Sequence, residues 1–209
     1  MKTLTKVILL TLASAGLSQA AVTITCKNFS TPGTVGIPVL DLAGNAETAG
    51  NRSWSIGYFT TGFDFSTATA TTLQSNFTIF GATSTTFAFN GGFNASISAT
   101  LPGFDSTYTG KTIYTMVGNG ATIATSTAFA VLTANVLFPS VDVNGAGAAT
   151  STTAAASNVV FGKLMAPVTQ PPGGSYPQGV QVLVAAVPEP SAALLGAFGV
   201  LGLLRRRRI

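Results

Sequence analysis

Trp54-Ser55-Ile56-Gly57-Tyr58 carries large apolar side chains at every second position and small residues between them. Successive side chains of an extended chain point to opposite faces, so this run predicts a strand with one bulky face and one slim face. Inward alternation places Trp54 in a core; on an exposed face, Trp54 and Tyr58 would instead form a platform for stacking sugars. Further along, Ala128-Phe129-Ala130-Val131-Leu132 is apolar throughout and predicts a more fully buried strand.

The same signals recur on both sides of these two runs. Strands are predicted over 22–26, 35–41, 53–60, 76–79, 94–100, 112–117, 126–132, 158–162 and 180–186, in segments of β-branched and aromatic residues set between Gly, Asn and Pro. Residues 69–75 fit either one short helix or a loop. The Ala/Gly/Thr run 145–157 reads as a loop, and 167–179, with Pro171-Pro172-Gly173-Gly174, as a second excursion. Many short strands with little helical periodicity predict an all-β body over 21–186, a single antiparallel β-sandwich or jelly-roll-like domain. Its strand edges carry a risk of self-association.

Charge places the interesting chemistry at the ends. Only 8% of the 209 residues are charged, against about 25% in an ordinary soluble domain. Between residues 21 and 187 four cations (Lys27, Arg52, Lys111, Lys163) face five anions (Asp41, Glu47, Asp64, Asp105, Asp142), so the body is one unit negative. The overall +4 belongs to Lys2, Lys6 and Arg205, Arg206, Arg207 and Arg208. No cluster in the body provides a basic face, so no nucleic-acid partner is expected.

The chain has no histidine and one cysteine, Cys26. That excludes Ser-His-Asp and Cys-His catalysis, imidazole zinc sites, thiolate clusters and an intrachain disulfide. Cys26 reads as a small buried residue of the first strand. Asp64, between Phe63 and Phe65, and Asp105, beside Phe104, are the carboxylates best placed for a glycosidase pair, because apolar neighbours raise a carboxyl pKa. The plainer reading of both is turn formation, as in Gly62-Phe63-Asp64 and Gly103-Phe104-Asp105. Asp41, Asn45 and Glu47 supply oxygen ligands around a turn, but their spacing does not fit a calcium loop and a polar turn is the simpler reading. No catalytic residue, metal or cofactor is therefore expected. Asn28, Asn51, Asn76 and Asn94 head Asn-x-Ser/Thr sequons, and a hydroxyl-rich β surface suits glycosylation or contact with polysaccharide.

Residues 1–20 have the three parts of a secretory signal: Lys2 and Lys6, an apolar stretch over 7–17, and Ser18-Gln19-Ala20 before a cleavage point between Ala20 and Ala21. At the other end Pro188-Glu189-Pro190 precedes an apolar run over 191–204 and Arg205, Arg206, Arg207 and Arg208. The prolines hold an extended segment, and Pro190 suits the first position of a helix. A helix over 190–204 would reach about 22 Å, short of a hydrocarbon core of about 30 Å, with arginines snorkelling to make up part of the difference. The arginines would stop transfer on the cytoplasmic side and leave the body outside.

This ending, over 187–209, resembles the PEP-CTERM sorting tail, handled by exosortases in Gram-negative bacteria that make exopolysaccharide. The resemblance implies that Pro188, Glu189 and Pro190 are read by a membrane-embedded exosortase and are not catalytic themselves. The segments 41–50, 53–59 and Gly110-Lys111-Thr112-Ile113-Tyr114 are similar to small uncharacterised PEP-CTERM proteins of the Verrucomicrobia–Planctomycetes kind, which brings no activity with it. The expectation is a protein exported through the inner membrane, anchored there by its C-terminal transmembrane helix, then sorted to the cell envelope or extracellular matrix. Signal peptidase and exosortase would process it, and its role would be structural or interactive, linked to exopolysaccharide or biofilm. A carbohydrate-binding module is the first alternative and a glycan-active enzyme the second.

Overall fold

The computed structural model describes residues 22–31, 35–48, 52–83, 87, 91–100, 104–140, 148–152, 158–170 and 174–184. The signal segment, Ala20 and Ala21, Asn51, Pro188, Glu189, Pro190, the 191–204 run and the four terminal arginines lie outside the described residues. Among the described residues no helix is long and apolar enough to cross a membrane.

The described chain is mostly strand. The first seven are β1 (Val22–Lys27), β2 (Phe29–Thr31), β3 (Val35–Gly36), β4 (Val39–Leu40), β5 (Ser53–Phe59), β6 (Phe77–Ile79) and β7 (Asn94–Ala99). They are followed by β8 (Thr112–Gly118), β9 (Ala128–Leu137), β10 (Ala148–Thr152), β11 (Val159–Phe161) and β12 (Lys163–Met165). The last four are β13 (Val168–Gln170), β14 (Gly174–Tyr176), β15 (Gly179–Gln181) and β16 (Leu183–Val184). One short helix, α1 (Ala70–Asn76), a 3-10 turn at Phe65–Thr67 and a single helical turn at Phe104–Thr107 complete the described elements. The fold is all-β, with mainly antiparallel pairing.

The largest sheet has the order β11-β9-β8-β5-β6, with β16 also paired to β9. A second sheet has the order β10-β1-β7 and a third β12-β15-β4. Alternation along β5 decides what meets what. Trp54 and Ile56 join Val22, Ile24 and Cys26 of β1, Ile113 and Val117 of β8 and Ala128, Ala130 and Leu132 of β9 in one buried cluster. Trp54 is fully buried and stacks on Phe93 with ring centroids 5.0 Å apart. On the other face Phe59, Met116, Phe129 and Val131 form a second cluster with Leu73 of α1, Ala68 and Ile123. The slim face of β5 has a steric role: a Cβ on Gly57 would run into the Thr78 carbonyl and the Phe77 ring across the β5–β6 pair. The more fully buried strand predicted at 126–132 is β9, whose Phe129 and Val131 face one cluster and Ala128, Ala130 and Leu132 the other.

Four expectations change, the first being the strand predicted over 180–186, which divides into β15, paired with β12 and β4, and β16, paired with β9. The strand predicted over 35–41 splits into β3 and β4 around Pro38, which has no N–H to give a ladder. The run 145–157, read as a loop, contains β10, which pairs in parallel with β1 from Thr23↔Ala148 to Lys27↔Thr152. Small Ala and Thr residues gave no alternation to betray it; its place is set by backbone pairing. The excursion 167–179 contains the antiparallel pair β13–β14. For 69–75 the helix is correct: Thr72 N–H donates to Thr69 Oγ1 at 3.1 Å and Thr69 N–H to Thr72 Oγ1 at 2.8 Å, a reciprocal cap on α1. Gln74 Nε2 then ties α1 to the carbonyls of Ile123 and Ser126 at 2.9 and 3.0 Å.

Candidate functional site

The sequence-predicted candidates whose side chains are described mostly become structural parts. Asp64 is exposed and caps the 3-10 turn, accepting from Ser66 Oγ at 2.7 Å, Ser66 N–H at 2.9 Å and Thr67 Oγ1 at 3.2 Å. Those bonds, the Ser66 hydroxyl first, hold its carboxyl below the ordinary range. The idea that Phe63 and Phe65 raise its pKa is thus corrected: the rings leave the carboxylate in water, and the turn-former reading is right. Asp105 sits in the helical turn Phe104–Thr107, and its side chain lies outside the described residues.

Asp41 closes its own turn, with Oδ1 accepting from the N–H groups of Ala43 and Asn45 at 2.8 Å each. Glu47 goes elsewhere. It is buried, and Oε2 accepts from Arg52 Nε while Arg52 Nη1 donates to the Asn119 carbonyl. Glu47 Oε1 has no hydrogen bond among the described residues. Burial raises the Glu47 carboxyl pKa, partly offset by Arg52. The polar-turn reading therefore fits Asp41 and Asn45, and no group of three or more Cys, Asp or Glu suited to a metal occurs among the described residues.

Asn28 is buried, donating from Nδ2 to the carbonyls of Ile37 and Gly91 and accepting at Oδ1 from Phe93 N–H, all at 2.8 Å. It staples three segments and is closed to modification in the folded chain. Asn76 donates to the Thr72 carbonyl at the end of α1, and Asn94 stands exposed on β7. Cys26 is buried, as read from the sequence. The sugar platform on Trp54 and Tyr58 does not exist: Trp54 is inside, and Tyr58 meets Tyr108 edge to face at 5.5 Å.

What the structure does assemble is a cleft of about 310 Å³ at the end of β5 and the start of β8. Its aromatic lining is Phe59, Phe63, Phe65 and Tyr114; its polar lining is Thr60, Thr61, Lys111 and Thr112, with Gly62 and Gly110 at the rims. Phe59 is the hub. Its ring stacks on Phe63 at 4.9 Å and meets Phe65 and Tyr114 edge on at 4.9 and 5.4 Å. Phe63, Phe65 and Tyr114 are only half-buried, so three rings of the group retain open surface. Burial raises the Tyr114 phenol pKa further above neutrality, and the neutral phenol can donate or accept a hydrogen bond.

Local backbone geometry builds both rims. After β5 the chain turns at Gly62, whose φ of 79° belongs to the left-handed region that glycine enters freely. Phe63 N–H closes that turn on the Thr60 carbonyl at 3.0 Å. Gly110 makes the opposite rim with φ of 75°, and Phe138 clamps it by accepting from Gly110 N–H at 3.0 Å and donating to the Lys111 carbonyl at 2.8 Å. The β8–β9 register shifts between Thr112 and Tyr114, a bulge that includes Asn135 at φ 58°. Bulges re-aim side chains beside sites, and this one lies under Thr112 and Tyr114.

No single stretch announced this cleft. Phe63 and Phe65 flank Asp64 in sequence, and Lys111 and Tyr114 share one short segment, but only the Gly57↔Tyr114 pairing brings the two together. No protein family, no curated protein and no solved structure matches the chain.

Proposed function

We propose that the chain is an exported, non-catalytic protein of the cell envelope or extracellular matrix, sorted by an exosortase through a PEP-CTERM-type tail. The observation that carries this reading is the order of three parts near the C-terminus: Pro188-Glu189-Pro190, the apolar run 191–204, and Arg205, Arg206, Arg207 and Arg208. Each part has its own physical role. Prolines favour an extended motif for an enzyme to read, an apolar run of this length suits a short anchor, and a block of arginines resists transfer. The signal over 1–20, with cleavage between Ala20 and Ala21, delivers the body to the same side. A body without histidine and with one buried cysteine suits a structural or interaction role linked to exopolysaccharide.

The body, 21–186, fits a single sandwich or jelly-roll-like domain. The cluster that joins β1 to β5, β8 and β9 supports that arrangement, because it lies between residues of two different sheets. A carbohydrate-binding module is the second reading, favoured by the half-exposed rings around the cleft.

Replacing Pro188, Glu189 and Pro190 by alanine in the native host tests the sorting step. The expected outcome is a protein that keeps its tail and accumulates in the inner-membrane fraction. Unchanged distribution and unchanged tail processing would overturn the reading.

A further inference from the structure

We propose that the Phe63–Phe65–Tyr114 cleft is a glycan site selective for an acidic sugar, with Lys111 reading the carboxylate. The inference rests on the carbohydrate-binding reading of the body and is independent of the tail.

The lining mixes two kinds of surface. Half-exposed aromatic faces are negative at the centre of the ring and attract the polarised C–H edge of a sugar. The hydroxyls of Thr60 and Thr112 stand beside them as donors and acceptors for sugar hydroxyls. An apolar peptide side chain would cover the rings but leave those hydroxyls and the ammonium without partners, which costs free energy on binding. A polyhydroxylated ring satisfies both kinds of surface.

Lys111 sets the charge. It lines the cleft, is half-buried, and makes neither an ion pair nor a side-chain hydrogen bond among the described residues. Arg52, by contrast, is already paired with Glu47. The carboxylate between Phe63 and Phe65, Asp64, is committed to Ser66 and Thr67 and is not part of the lining. A lone ammonium on a flexible stem is a point charge, suited to a single anionic group, and the carboxylate of an acidic sugar ring supplies one. The volume, about 310 Å³, lies at the small end of ligand sites, which run from about 300 to 1,000 Å³. It suits one or two rings of a chain whose remainder lies outside.

The test is a calorimetric titration of the full chain in mild detergent with a galacturonic-acid hexamer and with its methyl ester. The two probes have the same rings and differ in charge. The acid is expected to bind about tenfold more tightly at low salt, the value of one charge-assisted contact. Lys111→Gln should abolish that difference, and Phe63→Ala should weaken acid and ester alike. Equal binding of acid and ester by the unmodified chain would overturn the acidic-sugar inference and leave the glycan reading intact. Binding of neither would overturn both. A preference for acid that survives Lys111→Gln would overturn the role of Lys111.

Discussion

The two faces of the largest sheet are made by the same strands and end differently. On one face Trp54, Ile56, Ile113, Val117 and Leu132 meet β1 of another sheet, and all five are fully buried. On the other, Met116, Phe129 and Val131 are as well buried, but their cover is a seven-residue helix and a 3-10 turn. That cover runs out near the end of β5, so Phe63, Phe65 and Tyr114 stay half-exposed and the cleft opens between two glycine turns. A sheet is a broad, continuous lid, whereas short loops leave gaps at their margins. The contrast shows how an all-β body can present a shaped, chemically mixed surface.

The largest expected effect breaks the first face. Trp54→Ala removes a fully buried ring stacked on Phe93 and should cost about 3–5 kcal/mol in urea unfolding. Phe63→Ala, on the second face, should cost about 1 kcal/mol, because the half-buried ring gives up less apolar area. Similar costs for the two would show that the second face is as closed as the first, with no gap in its cover for a ligand to enter.

A smaller effect sharpens the comparison through charge. Burial raises the Glu47 pKa above its usual 4.5, so the folded chain holds that proton more tightly than the unfolded chain. Glu47 therefore contributes its full proton-linked stability below pH 4.5 and loses it as pH rises through the folded value. Asp64, held low by its turn, has the opposite sign: its contribution is present above its usual 3.8 and fades as pH falls through the folded value. Glu47→Gln should flatten the decline in stability above pH 4.5, measured by urea unfolding across that window. An undiminished slope in the variant would assign the decline to other groups.

The legible parts of the fold were those where side chains carry the signal. The alternation in Trp54-Ser55-Ile56-Gly57-Tyr58 marked both the strand and its core face, and the apolar run from Ala128 marked a strand buried on both faces. β10 was illegible because alanine and threonine pairing through backbone groups leave no periodic pattern. Asp64 and Glu47 show a different gap. Apolar neighbours in sequence pointed to a raised pKa for Asp64, but hydrogen bonds to Ser66 lower it; burial raises Glu47, which sequence placed in a turn. The cleft was hidden because residues 59–65 and 110–114 become neighbours only through the β5–β8 register.

The central claim concerns the two ends, and intact mass of the envelope-associated protein from its native host tests it most directly, with and without a functional exosortase. The predicted result is a mature form that starts at Ala21 and ends at the Pro188–Pro190 motif, with residues 191–209 retained when the exosortase is absent. A form that keeps Ala192 through Arg208 in both strains would contradict it and leave a plain C-terminally anchored surface protein.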